Sequence, residues 1–81
     1  MPYIDKSRRE AIDNGHMEPS EIGDLTYLLY KKSLQYVRRK GICFTSYCAV
    51  IGALICTALE LYRKRVGPYE DEKESVNGRV D

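Results

Sequence analysis

The chain has 81 residues, with 13 basic and 12 acidic side chains and a net charge of +1. That length allows one small domain, which would bury only about 60–65% of its unfolded surface and be marginal as a monomer. The balanced charge excludes a global field that draws in nucleic acid, so any anion site must be local.

In chain order, the start MPYIDKSRRE lacks the apolar core of a signal peptide. Residues 1–4 are expected to form an extended arm, because Pro2 has no amide donor. Asp5 or Ser7 can cap a short helix over roughly residues 6–13, with Ile4, Ala11 and Ile12 as its apolar contacts. Asn14-Gly15 is a stop signal, since both residues tolerate positive φ. Residues 16–20 form a connector, and His16, the single histidine, reads as a solvated loop residue.

The first long helix is predicted to begin between Ser20 and Asp24 and to run to about Lys40, with Gly41 as its stop. Arg38, Arg39 and Lys40 in the last turn complement the helix dipole. Two apolar stripes stand at helical spacing. One is Ile22, Leu25, Leu29 and Tyr36. The other is Tyr27, Tyr30, Leu34 and Val37. A single packing partner needs only one stripe, so this helix is expected to touch more than one neighbour.

Residues 42–59, ICFTSYCAVIGALICTAL, carry no charge in a chain where 31% of residues are charged. Thr45 or Ser46 can cap a second long helix, predicted to run to about Val66 and to end at Gly67-Pro68. The run approaches the ~20 residues of a membrane span. Thr45, Ser46, Tyr47 and Thr57 dilute it, however, and the basic clusters at its two ends are too similar to set an orientation. A buried helix of a soluble bundle is the expected state rather than membrane association, and a small membrane-associated protein stands as the lesser alternative. The short connection implies an antiparallel helical hairpin of two long helices. One mate and a short N-terminal helix cannot cover so apolar a helix. An all-α homo-oligomer is therefore expected, with Ala49, Gly52, Ala53 and Cys56 letting backbones approach. The organisation predicted is an arm and short helix over residues 1–19, the hairpin over 20–67, and a polar, solvated tail over 68–81.

Catalysis finds no support in the residue pattern. One loop histidine makes no triad, and there is no HExxH, phosphate loop or GxGxxG. No cofactor and no metal site are expected: Cys43, Cys48 and Cys56 have no CxxC spacing and read as free, mostly buried thiols. Tyrosine is over-used, with seven Tyr against one Phe and no Trp, which suits half-buried faces and ligand pockets. The constellation with chemistry is Tyr62, Arg63, Arg65 and Tyr69, because Arg forks hold phosphate bidentately and Tyr rings stack on bases. In an antiparallel hairpin it would lie near Tyr27, Tyr30 and Lys31, within reach of an arm carrying Tyr3, Arg8 and Arg9. Tyr3, Arg8, Tyr27, Lys31, Tyr62, Arg63, Arg65 and Tyr69 are thus the candidate ligand-binding residues.

The start MPYI, the segment Gly23-Asp24-Leu25-Thr26-Tyr27 and the block Glu60-Leu61-Tyr62-Arg63 carry a resemblance. So do Val66, Pro68-Tyr69-Glu70-Asp71, Lys73 and Val76-Asn77-Gly78. Together they resemble a small family of short phage and microbial proteins with no assigned activity. The chain departs from that family at Val76 and Arg79, where acidic residues are usual, and its second helix is more apolar. The resemblance implies the setting of a host-cell cytoplasm and argues further against a membrane helix, because the family's second helix carries charges. The first functional expectation is a non-enzymatic oligomer that sequesters a small anionic nucleotide of host-defence signalling. Its build is similar to that of small phage helical-hairpin oligomers that take up cyclic nucleotides. The alternative is an adaptor whose stripe Tyr27, Tyr30, Leu34 and Val37 docks another protein. Sequence-specific nucleic-acid binding is not expected.

Overall fold

A computed structural model describes residues 4–81, so the expected arm and its Tyr3 lie outside the described residues. The chain is all-helical: α1 (Lys6–Asp13), α2 (Ile22–Lys40), α3 (Phe44–Leu61) and α4 (Gly67–Asn77), with a π-helical turn (Tyr62–Val66) joining α3 to α4. No strand occurs among the described residues. Two compact units divide the chain, Met1–Ser46 and Tyr47–Asp81.

In the first unit, Asp5 starts α1 by accepting the Arg8 backbone N–H at 2.9 Å and the Ser7 hydroxyl at 2.9 Å. These bonds, the backbone one first, hold the Asp5 carboxyl below its ordinary pKa. The stop is a Schellman motif: the His16 N–H reaches the Ala11 carbonyl at 2.8 Å and the Gly15 N–H reaches Ile12 at 3.1 Å. Gly15 sits at φ 73°, which a side chain would resist.

The start of α2, open between two sites in the sequence, falls at Ile22 because Asp24 reaches back to it. The Asp24 carboxylate accepts the backbone N–H groups of Ser20 (3.0 Å) and Glu21 (3.1 Å), satisfying donors that a helix start leaves orphaned. The helix ends at Gly41, φ 116°, whose N–H bonds Val37. Arg8 meets Asp24, while Asp13 meets Tyr27 and Lys31. Contacts therefore advance along both helices together, and α1 runs in the same sense as α2. Among the described residues the buried ones are Ile12, Tyr27, Val37 and Asp24. Of the two stripes on α2, one has Tyr27 and Val37 buried but leaves Tyr30 exposed; Ile22, Leu25, Leu29 and Tyr36 of the other are all exposed.

The second unit carries most of a continuous helix that spans Phe44–Asn77, 34 residues, or about 50 Å. The predicted stop at Gly67-Pro68 does not occur. Pro68 opens α4 instead of ending α3. Proline ends a helix by removing an N–H and by pressing its ring on the carbonyl four residues back. Here the Gly67 N–H bonds the carbonyl of Tyr62, five residues back. The wider turn gives the ring room, and the helix continues. The tyrosine at the head of this turn clasps its far side, since the Tyr62 hydroxyl donates to both carboxylate oxygens of Glu70 at 2.9 Å. What reads as a solvated tail is thus helical to Asn77, where Gly78 at φ 85° stops it.

No residue of α3 is buried within the chain. Phe44, Ile51, Ile55, Leu59 and Leu61 are all more than half exposed. Cys43, Cys48 and Cys56 are free and exposed rather than buried as expected. They lie on or beside a helix that nothing covers within a single copy.

Candidate functional site

The site is built where α1 lies on the first half of α2. Arg8 is its structural pin. The Arg8 guanidinium donates from Nε to Asp24 Oδ1 at 2.6 Å and from Nη2 to Asp24 Oδ2 at 2.7 Å, with a further bond to the Ser20 hydroxyl at 3.1 Å. Asp24 is 0% exposed. The Arg8 fork, then the backbone N–H bonds of Ser20 and Glu21, hold its carboxyl well below the usual carboxylate range. Both carboxylate oxygens are engaged, and the fork that would otherwise grip a phosphate is spent on Asp24. Arg8 therefore leaves the set of ligand-binding candidates.

One turn further on, Asp13 gathers Tyr27 and Lys31. The Tyr27 hydroxyl donates to the Asp13 carboxylate at 2.8 and 2.9 Å, and Lys31 Nζ donates to it at 3.1 Å. Lys31 Nζ also reaches the Tyr27 hydroxyl at 3.4 Å and lies 5.8 Å from the ring centroid. The Tyr27 bond, then the Lys31 bond, lowers the Asp13 pKa; the Asp13 bond, then Tyr27, raises that of Lys31.

Beside this network is a cavity of about 290 Å³ lined by Arg9, Tyr27, Tyr30, Lys31, Leu34 and Arg38. Three cationic side chains and two phenol rings share it with one aliphatic residue. Arg9 comes from α1 and the rest from α2, where offsets of three, four, seven and eleven residues from Tyr27 keep them on one face. Among the described residues no ion pair engages Arg38, which is exposed. Of the predicted binding residues, Tyr27 and Lys31 are thus brought together. Arg9, Tyr30 and Arg38 complete the lining. The signal for Arg38 was its place on the Tyr27 face, masked by its fitness for a helix end.

The other candidates lie in the second unit. Tyr62 is clasped to Glu70, and Arg63 donates to Glu60 at 3.0 and 3.1 Å. Tyr69 has the Lys73 ammonium 5.6 Å from its ring centroid. Arg65 borders an open hollow with Cys56, Thr57, Glu60, Leu61 and Lys64. All of these stand on consecutive turns of the same helix, which has no opposing wall within its unit.

The profile of a family described as a domain of unknown function, DUF6899, matches residues 1–80. The chain belongs to this family. No curated protein and no solved structure matches it. In this DUF6899 chain five of the residues that carried the resemblance have a structural role. Asp24 and Tyr27 hold α1 on α2, while Tyr62, Pro68 and Glu70 build the π turn.

Proposed function

We propose that this DUF6899 chain is a non-enzymatic binding protein that assembles with copies of itself around α3 and sequesters a small anionic nucleotide. The observation that carries the reading is the exposure of α3. Seven large apolar side chains, Phe44, Tyr47, Ile51, Leu54, Ile55, Leu59 and Leu61, are each 41–82% exposed. At some 150–200 Å² for each whole side chain they offer roughly 700 Å² per copy. Two copies would then bury about 1,400 Å², the area of a standard stable interface. Such a face left in water is an aggregation hazard. Gly52 adds room for approach, because a Cβ placed there meets nothing within 4 Å. In the assembled state α2 and α3 form the antiparallel hairpin that the three-residue connection between them favours. The resemblance to short phage proteins supports a host-defence signal in the cytoplasm as the nucleotide's source.

By length and composition the Phe44–Asn77 helix also passes as a membrane span. Glu60 and the charged turns that follow it favour protein as the cover, and the basic clusters at the two ends of the apolar run are too similar to set a membrane orientation. A second reading, docking of another protein, loses half of its expected stripe, since Tyr27 and Val37 are buried. It keeps Tyr30 of that stripe, and the other stripe, Ile22, Leu25, Leu29 and Tyr36, is exposed beside it. Native mass spectrometry of protein purified without added ligand tests the proposal. A closed oligomer carrying retained mass of nucleotide size is expected. A bare monomer that stays soluble, or one recovered only in detergent, overturns it.

A further inference from the structure

We propose that the cavity between α1 and α2 is the ligand site, and that it takes a single nucleoside monophosphate, with Arg38 and Lys31 on the phosphate and Tyr30 against the base. This rests on the nucleotide-binding reading above and deepens it by naming the pocket and the ligand's size.

The lining sets the charge of the ligand. Arg9, Lys31 and Arg38 face one cavity, and the carboxylate beside it, Asp13, is already shared between Tyr27 and Lys31. An ammonium has three N–H donors. Lys31 spends two, on Asp13 and on the Tyr27 hydroxyl, and the third remains for an incoming oxygen. Arg38 brings a planar fork with no ion pair among the described residues, the geometry that grips two phosphate oxygens at once. Arg39, in the same turn, lies over the Tyr36 ring at 5.9 Å instead and is not part of the lining.

The same walls set the ligand's body. Tyr30 is 48% exposed, so its phenol has surface available for stacking, and Leu34 adds an apolar surface to the same lining. An anion without a flat apolar portion would leave these two side chains unused. A volume of about 290 Å³ stands at the low end of small-molecule sites, which run from about 300 to 1,000 Å³. That suits one nucleotide.

Asp13 gives a test that a purely structural cluster would not pass. Its charge holds Lys31 and opposes an incoming phosphate. Asp13→Asn should therefore tighten binding even as it loosens the contact between α1 and α2. Calorimetric titration of the oligomer with AMP, GMP and UMP, beside adenosine and inorganic phosphate, reads the site. At least one nucleotide should bind more tightly than either fragment. Arg38→Ala should weaken it at least about tenfold, the loss of a charge-assisted bond, while Arg39→Ala stays within twofold and both keep the wild-type subunit number by native mass spectrometry. Asp13→Asn should bind several-fold more tightly. Nucleotide binding that Arg38→Ala and Arg39→Ala weaken equally overturns this site and leaves the sequestration reading standing. Failure of the wild-type oligomer to bind any of the three nucleotides overturns this site, and overturns the sequestration reading as well only where the native mass spectrum also shows no retained nucleotide mass.

Discussion

Asp24→Asn is the sharpest test of how the first unit holds together. The substitution keeps shape and one acceptor oxygen but removes the charge that the Arg8 fork closes on and places an NH₂ where a bond was accepted. Asp24 is 0% exposed, and its two oxygens take bonds from Arg8 at 2.6 and 2.7 Å and from the Ser20 and Glu21 N–H groups. The change thus strikes the α1 pin and the start of α2 together. Arg8 is left with its side chain 35% exposed, so water relieves part of its lost partner, and the loss is below that of a fully buried pair. A fall in Tm of roughly 10–20 °C at fixed protein concentration is expected. The pH dependence follows from the lowered Asp24 pKa. An unfolded Asp24 binds a proton more readily than the folded one, so its contribution is full above the ordinary carboxylate range. It is lost as pH falls from about 4 toward the folded value. Wild-type Tm should drop through this window, and Asp24→Asn should flatten that acid limb. The assay is thermal unfolding followed by circular dichroism from pH 2.5 to 7. A variant within 2 °C of wild type at pH 7, or one with an unchanged acid limb, refutes the reasoning.

Three further outcomes follow from the second unit. Pro68→Ala removes the ring that the π turn accommodates, so the turn should relax to α-helix and stabilise the rod by about 1 kcal/mol. Carbon chemical shifts at residues 62–67 that stay unchanged would show that the proline is not its cause. Thiol labelling reads the covering of α3. Cys43, whose pKa is lowered by the Ser46 hydroxyl bond, should react first, with Cys48 and Cys56 protected in the assembly. Equal reactivity of all three would mean that α3 stays bare. Leu54→Glu should place a charge on the assembly face and reduce the subunit number in native mass spectrometry. Retention of the wild-type number would remove Leu54 from the interface.

Helix positions were legible in the sequence wherever a local signal acted alone. Asp5, Gly15 and Gly41 each work within one turn of their own helix, and each does what its residue type foretells. The reading failed at Pro68, because a proline's effect depends on how many residues the preceding turn contains. That number is set by the Gly67 to Tyr62 bond and the Tyr62 to Glu70 clasp, which no composition rule encodes. It failed in a different way at Arg8. Beside Arg9, and within reach of an aromatic-rich helix, it reads as a ligand residue. Only the three-dimensional pairing across sixteen positions shows that Asp24 consumes it. Arg38 is the reverse case, since a helix-end role accounted for it so well that its place on the Tyr27 face went unused.

The site and the fold share side chains unequally, and this decides which variants can be interpreted. Tyr27 is buried and bonds Asp13 while it also walls the cavity. Its loss would therefore perturb α1 and the pocket together, and reduced binding in a Tyr27 variant says little about ligand contact. Lys31 is intermediate, since its ammonium helps to hold Asp13. Arg38 and Tyr30 are exposed and belong to the lining without bridging the two helices. An arrangement in which the two inner residues fasten the helices and the two outer ones stay open lets ligand contacts vary while the α1 pin stays intact. By that logic Tyr30→Leu, which keeps apolar bulk and loses the ring, should lower nucleotide affinity with Tm unchanged. A parallel fall in Tm would place Tyr30 among the fold's own supports and leave the ligand to Arg38 and the third donor of Lys31.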